Sequence, residues 1–401
     1  MNYSKEEVME FIAEEDVKFI RLAFCDVFGK QKNISIMADE IEHAFRYGVA
    51  IDASAIEGFG GQFHSDLLLH PEADTLCILP WRPEHGRVVR MFCNITYPDG
   101  RAFECDTRTL LKNAVQAAKE AGFAFSFGSE QEFYLFELDE NGAKTDKPYD
   151  DAGYMDIAPE DKGENIRREI CLTLEQMGIN PETSHHEEGP GQNEIDFKYS
   201  DPLTAADNVM TLQTIVKTVA RSNGLYADFS PKPIGDKPGN GYHINISVSP
   251  DARSQNLTFV IAGIMKRIHD MTAFFNPCEA SYARLGTGKA PKYVSWSSEN
   301  RSQLVRIPAS ARHGRRAELR SPDPTLNPYL AFALLIEAGM EGIRNKEVLP
   351  VVADFDMYSA SAEALKRFEA LPATLTEAKT IAAQSDFIKR TLPEKLIQSY
   401  C

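Results

Sequence analysis

The run from Gly128 to Leu138, GSEQEFYLFEL, constrains the fold most, because it sets acids inside a segment built to be buried. Phe133, Tyr134, Leu135 and Phe136 mark a core strand, and Glu130 and Glu132, two residues apart, then project from one face of it. Glu187 and Glu194 flank the Gly189-Pro190-Gly191 turn in SHHEEGPGQNEIDF, so a hairpin there brings them together. His243 falls inside the alternating segment GYHINIS, and Glu318 interrupts the arginines of RRAELRSP. A buried carboxylate without a partner costs several kcal/mol, so such a set must form ion pairs or hold metal. Ion pairs would explain any one of the six. Five carboxylates and one imidazole together, with no cysteine, suit a hard divalent ion, Mg²⁺ or Mn²⁺, better than zinc.

A second feature is opposite in sign. From Arg284 to Arg320 stand nine cations (Arg284, Lys289, Lys292, Arg301, Arg306, Arg312, Arg315, Arg316, Arg320) against two acids, Glu299 and Glu318. The chain carries a formal net charge of -16, so this is a basic island in an acidic protein. Most charge runs are solvated faces, yet Pro308, Ala309 and Ser310 and the apolar run after Asn327 do not suit a loose tail. Guanidinium groups grip phosphate and carboxylate in bidentate fashion. The acidic balance argues against nucleic acid, whose phosphate backbone repels such a surface, so the island is expected to take something small and anionic. Metal beside clustered arginine is the equipment of phosphoryl transfer.

With 401 residues, 43% hydrophobic and 25% charged, the chain has the length for two or three ordinary globular domains. The start, MNYSKEEVMEF, has no basic region before an apolar core, and no apolar run approaches the ~20 residues of a membrane helix. Seven scattered cysteines form no CxxC pair and read as reduced. The expectation is a cytoplasmic protein with no membrane or nucleic-acid partner.

Residues 1–100 read as a small mixed domain: a capping box at Ser4 and Glu7 opening a helix, strands at 17–24, 33–37, 75–79 and 87–95, a helix at 39–45, and a loop through GVAIDASAIEGFGG. Residues 101–401 read as a larger α+β unit. Helices are expected at 107–121, 165–177, 202–222, 258–274, 328–343, 360–370 and 376–389. Strands are expected at 123–127, 132–138, 184–199 (a hairpin), 226–230 and 242–248. Strands outnumber crossover helices, which suggests an antiparallel sheet with helices on one side. Phosphate-loop patterns fail: Gly286–Lys289 lacks the upstream glycine and is followed by Ala290, and Gly58-Phe59-Gly60-Gly61 breaks the dinucleotide spacing.

These residues resemble the glutamine synthetase family, bacterial type I, over nearly the whole chain. VKFIRLAFCDVFGKQKNISI, IEGF and ILPW resemble its N-terminal β-grasp domain. GSEQEFYLF, SHHEEGPGQNEIDF, KPIGDKPGNGYH, NRSQLVRIPAS and RRAELRSPDPTLNPYLA resemble its catalytic motifs in order. The resemblance implies a β-grasp domain followed by a catalytic domain whose antiparallel sheet forms a half-barrel with flanking helices. It implies an ATP- and Mg²⁺- (or Mn²⁺-) dependent ligase that phosphorylates a carboxylate and lets ammonia or an amine attack the acyl phosphate. One metal would sit on Glu132, Glu187 and Glu194, the other on Glu130, His243 and Glu318. Arg301, Arg316 and the nearby Arg306 resemble the phosphate clamp, and Arg284 and Arg320 the grips on substrate carboxylate. Glu182 and Ser247 match nucleotide contacts; Tyr154 and Asp52 match the ammonium site, with Asp52 reaching over from a neighbour. The family assembles as two stacked hexameric rings with sites between subunits, so a homo-oligomer is implied.

Departures cluster at the acceptor end. The family's flap RLVPGYEAP is here RLGTGKAP, one residue shorter, with Lys289 where an acid belongs. That reverses the local sign and repels ammonium. Asp52-Ala53-Ser54-Ala55 lacks a hydroxyl, Asn245 replaces a histidine two residues after His243, and Pro238 replaces an Asn beside Gly239, which lies near the acid substrate. The reading is a ligase with an intact phosphoryl-transfer half, either a glutamine synthetase or a γ-glutamylamide synthetase-like enzyme with a non-standard acid or amine. The alternative is a non-catalytic ring protein that binds nucleotide or amino acid and regulates.

Overall fold

The computed structural model describes residues 3–61, 65–82, 84–251, 255–298, 300–307 and 316–401. The N-terminal part is built from β1 (Val17–Cys25), β2 (Gln31–Met37), β3 (Val49–Asp52), β4 (Asp66–Pro71), β5 (Cys77–Ile78) and β6 (Arg87–Thr96), in the order β2-β1-β6-β4-β3 with β5 also on β6. β1 runs parallel to β6 and the other pairs are antiparallel. Helices α1 (Lys5–Glu14) and α2 (Ile41–Tyr47) accompany this sheet. The Ser4/Glu7 capping box forms as expected, the two residues exchanging backbone and side-chain hydrogen bonds.

Two expectations fail here. GVAIDASAIEGFGG is not all loop: Val49–Asp52 forms the edge strand β3. The strand expected at 75–79 is a 3₁₀ turn followed by only two strand residues, Cys77–Ile78. In both places short apolar runs carry too little periodicity to separate strand from turn.

The second sheet is the frame of the site. Its strands are β7 (Ala124–Leu138), β8 (Lys144–Pro148), β9 (Pro181–His186), β10 (Gln192–Ser200), β11 (Leu225–Asp228), β12 (Tyr242–Ser249), β13 (Trp296–Ser297), β14 (Val305–Arg306) and β15 (Ala317–Leu319). The path is β13-β14-β15-β12-β7-β10-β9, with β8 and β11 also on β7, and among the described residues only β13/β14 pair in parallel. The two strands expected at 123–127 and 132–138 are one strand of fifteen residues, bridged through Gly128–Gln131.

Helices α3 (Thr107–Glu120), α4 (Glu164–Gln176), α5 (Pro202–Ser222), α6 (Gln255–Phe275), α7 (Glu279–Arg284) and α8 (Pro328–Asn345) complete the body. Short helices follow at Ala362–Leu365, Leu375–Gln384, Asp386–Thr391 and Glu394–Tyr400, so the two expected tail helices are shorter and more broken. α8 is apolar nearly all round, as a helix buried at the centre must be, and Phe332 stacks on Phe127 of β7 at 4.2 Å. Asn327 caps α8 by accepting from the Tyr329 and Leu330 N–H groups. Its amide donates to the Val27 carbonyl and the Thr107 hydroxyl, each at 3.0 Å, which ties the two parts together. Gly29 passes directly over this cap with φ +80°; a Cβ there would lie 2.8 Å from the Asn327 Cα.

Candidate active site

Register places the acids. Across the sheet, Thr183, Asp196, Glu130 and His243 form one row and His185, Glu194 and Glu132 the next. Asn245, Glu318 and Arg306 continue the surface through β12, β15 and β14. Directly opposed residues of antiparallel strands share a face, so this one face gathers the polar side chains while the other packs on helices. All of these except Asn245 and Glu318, which sit behind Glu130 and His243, line a cleft of about 430 Å³, a volume ordinary for a small-molecule site.

Inside it, His243 Nδ1 lies 3.2 Å from Glu130 and 3.8 Å from Glu318, and its Nε2 lies 3.9 Å from Glu132. His185 Nε2 lies 2.9 Å from Glu187 and 3.8 Å from Glu194. Donor atoms of Glu130, Glu194 and His243 fall within 4.8 Å of one another, and so do those of His185, Glu187 and Glu194. Glu194 thus stands between the two groups. The expected sets are interleaved, and His185 joins them.

The electrostatics are those of crowded acids. Burial, with Asp196 and Glu132 adding repulsion, holds the Glu194 carboxyl well above its ordinary range. Burial also raises Glu132, and the Glu187 charge adds to it. Asp196 is pushed up to about 7 by burial and by Glu130; one of its oxygens takes the Thr183 hydroxyl and the other is buried without a partner. Glu318 behaves oppositely: despite burial, Arg320, His243 and Arg306 bring it down to about 2. Arg306 Nε donates to it at 2.6 Å, and Arg320 donates to its other oxygen. A divalent cation would offset the repulsion that raises Glu132, Glu194 and Asp196, and the oxygen-rich donor set fits a hard ion.

The rest of the cleft is firmly held. Glu132 accepts from the Gly241 N–H at 2.9 Å and from Gln192 at 3.0 Å, and Asn245 donates to Glu130 at 2.7 Å. A Cβ at Gly241 would meet His243 Nε2 at 2.8 Å and Arg284 at 2.9 Å, so any larger residue there must displace side chains of the cleft. Arg284 is buried and donates to the Ser321 carbonyl at 2.8 Å. Arg316 lies 6.0 Å over the Tyr199 ring with a buried, unpartnered Nε, while Arg301 is exposed at the mouth. Tyr154, Gly239 and Pro238 line the cleft as well.

Lys289 reaches across the opening. Its Nζ lies 2.6 Å from Glu188 and 5.3 Å over the Tyr154 ring. Gly286 and Gly288, at φ +77° and +56°, bend the segment that carries it. Behind Tyr154, the buried trio Asp150, Asp161 and His186 resembles a metal cluster but is already satisfied. His186 contacts Asp150 at 2.9 Å, Arg167 pairs with Asp161, and the His186 carbonyl takes the Met155 N–H at 3.0 Å. This trio anchors the Tyr154 loop.

Three expected site residues lie elsewhere. Asp52 is exposed at the end of β3 on the other sheet, holding the Ser54 N–H at 2.9 Å, and does not line its own chain's cleft. Glu182 is exposed near the start of β9, its charge felt by Asp196 and Tyr199. Ser247 is half-buried, one further alternate position along β12 beyond Asn245. Arg312, Arg315, Glu299 and Pro308–Ser310 fall outside the described residues. Sequence reading missed Asp196 and His185. The alternation of QNEIDF puts Asp196 on the face of Glu194, and that signal was available.

Comparison with known proteins gives the same outline. Residues 104–401 match the family described as glutamine synthetase, catalytic domain, and residues 16–98 match glutamine synthetase, beta-Grasp domain. The glutamine synthetase of Clostridium saccharobutylicum is 43% identical over 413 residues, spanning 99% of this chain and 93% of that protein. That of Methanosarcina mazei is 43% identical over 412 residues, spanning 99% and 92%. Among solved structures, GmaS in complex with ADP superposes with a TM-score of 0.89 at 26% identity, covering 100% of this chain and 94% of that one. Plasmodium falciparum glutamine synthetase shares the fold, with a TM-score of 0.87 at 24% identity over 100% of this chain and 95% of its own.

Proposed function

The chain belongs to the glutamine synthetase family of ATP-dependent ligases, and we propose that it joins a carboxylate to ammonia or an amine through an acyl phosphate. The carrying observation is the convergence of Glu130, Glu132, Glu187, Glu194, His243 and Glu318 with Arg301, Arg306, Arg316 and Arg320 around one cleft. Glutamate and imidazole groups placed so would hold Mg²⁺ or Mn²⁺, which when bound neutralises charge on the nucleotide phosphates and the substrate carboxylate. The GmaS neighbour was solved with ADP, in keeping with ATP as the phosphoryl donor here.

The chain's own residues supply the rest. Arg301, Arg306 and Arg316 face the transferring phosphoryl group and offset its developing charge. Arg284 and Arg320, with Asn245 and Gly239, orient the acid so that a carboxylate oxygen attacks the γ-phosphorus and ADP leaves. The amine then attacks the acyl carbon and phosphate leaves with that oxygen. Glu187 and Tyr154 flank the place where the amine enters. Glu182 and Ser247, nearer the rim, belong with the nucleotide. Asp52 serves the cleft of a neighbouring subunit in stacked hexameric rings, which accounts for its distance from its own.

Lys289 makes the acceptor end unusual. Its ammonium group, over Tyr154 and beside Glu188, occupies the kind of setting that would otherwise collect a substrate cation. The choice therefore lies between glutamate with ammonium, as in a glutamine synthetase, and a different acid or amine, as in a γ-glutamylamide synthetase-like enzyme. Phosphate release from ATP and Mg²⁺ with a panel of acids and amines tests this reading. Release that requires one acid and one amine supports it. Tight ATP binding with no release for any pair would instead favour a regulatory binding protein.

A further inference from the structure

A second polar cavity, of about 160 Å³, lies between the N-terminal sheet and α5, apart from the cleft. It is lined by Arg21 of β1, Gln31 and Asn33 of β2, Arg90 of β6, Thr211 of α5, and Trp81. Arg90 is the group that needs an explanation. It is 8% exposed, donates to the Thr211 hydroxyl at 2.7 Å, and lies 4.0 Å over the Phe92 ring, while its Nε is buried without a partner. Among the described residues no carboxylate forms an ion pair with Arg90, Arg21 or Arg82. The nearby Asp207 is already taken, held by Arg108 at 2.9 and 3.0 Å and by the Tyr329 hydroxyl at 2.6 Å.

Burying an unpaired guanidinium costs several kcal/mol, and here the like charges gather instead of dispersing. Arg21 is shifted down by burial and then by the charge of Arg82. In a chain of net charge -16, a shortage of acids is not the reason. The neutral groups are suited to an anion too. Gln31 uses its carbonyl end to accept from Thr214 at 3.3 Å, which leaves its amide nitrogen as the end to donate.

We infer that this cavity binds a compact oxyanion, a phosphate or a short dicarboxylate, gripped by Arg21 and Arg90 with Gln31, Asn33 and Thr211 around them. At roughly 30 Å³ per liquid water, the space equals about five waters, enough for such an anion and too small for a nucleotide. The inference is independent of the ligase reading.

Trp81 reports on the site directly. The chain has two tryptophans, so a Trp296→Phe variant leaves Trp81 as the sole tryptophan, excited selectively on the red side of the tyrosine absorption. Its emission is titrated with inorganic phosphate and, separately, with succinate at fixed ionic strength. Saturation with at least one is expected, with affinity at least tenfold weaker in Arg21→Gln and lost in Arg90→Met. Saturation by phosphate alone assigns the source to phosphates, and by succinate alone to carboxylates. Arg21 is only half-buried, so Arg21→Gln remains decisive if Arg90→Met fails to fold. No saturation with either probe, or saturation that Arg21→Gln leaves unchanged, overturns the inference.

Discussion

Glu132 is held by two hydrogen bonds, from the Gly241 N–H and from Gln192, and faces the repulsion of Glu187. Glu132→Gln keeps the shape and removes the charge. It is expected to lower kcat by at least about 10²-fold, with Mg²⁺ affinity by calorimetry falling in parallel, since electrostatic stabilisation of phosphoryl transfer depends on that charge. Unchanged metal affinity would remove Glu132 from the ligand set. Lys289 has a different expected fingerprint. As a group that screens the amine entrance, Lys289→Ala should move KM for the amine several-fold while changing kcat little. A matched loss in both would make it part of the chemistry. The acids of the cleft were legible because a charged residue inside an apolar alternation has no bland home. His185 was less so, since an imidazole on a half-buried strand is usually structural. Asp196 was legible in principle through its spacing from Glu194, but one acid more in an acidic chain draws no attention until the register is known.

At the scale of elements, α6 and α8 cross where Gly263 meets Gly342, and a Cβ on Gly342 would lie 2.1 Å from the Phe259 carbonyl. Gly342→Ala must push the helices apart, with an expected loss of about 1–3 kcal/mol in urea unfolding and no change in Mg²⁺ affinity. A stability change below experimental error would show that the crossing relaxes freely. The long helices were legible because caps and periodicity agree: α5 was expected and found at 202–222, with Asp201 capping it. Edge strands were not. β3 is four residues long and its partner β4 was missed entirely, because its pairing with β6 rather than its local sequence makes it a strand. β7 runs unbroken although Gly128–Gln131 reads as a polar break, because Glu130 faces the site while Ser129 and Gln131 are bonded to Tyr242 and Gln213 on the opposite face. There function overrides the local pattern.

Over the whole molecule, the N-terminal sheet is clamped to α3 by Glu72, which accepts from Asn94 of β6 at 2.6 Å and pairs with Arg108 and Lys112 of α3. Burial works against its charge, but Arg108 and Lys112 bring its carboxyl from 4.5 down to about 2. A carboxylate held below its unfolded value contributes stability above that value and loses it as pH falls through the window from 4.5 to about 2. The urea midpoint difference between the wild type and Glu72→Gln should therefore be largest above that window and shrink within it. A difference that is constant with pH would mean the pair contributes nothing through charge. The position of Asp52 makes a second claim at this scale. If it serves a neighbour's cleft, an equal mixture of inactive Asp52→Asn and Glu132→Gln subunits, assembled together, should recover activity at about a quarter of the sites. Activity that stays at the level of the separate variants would place Asp52 outside the reaction. The central claim concerns the chemistry of the cleft. Its most direct test is to supply the accepted acid with ¹⁸O in its carboxylate and analyse the released phosphate by mass spectrometry. Transfer through an acyl phosphate carries one labelled oxygen into each phosphate, and unlabelled phosphate would contradict the account.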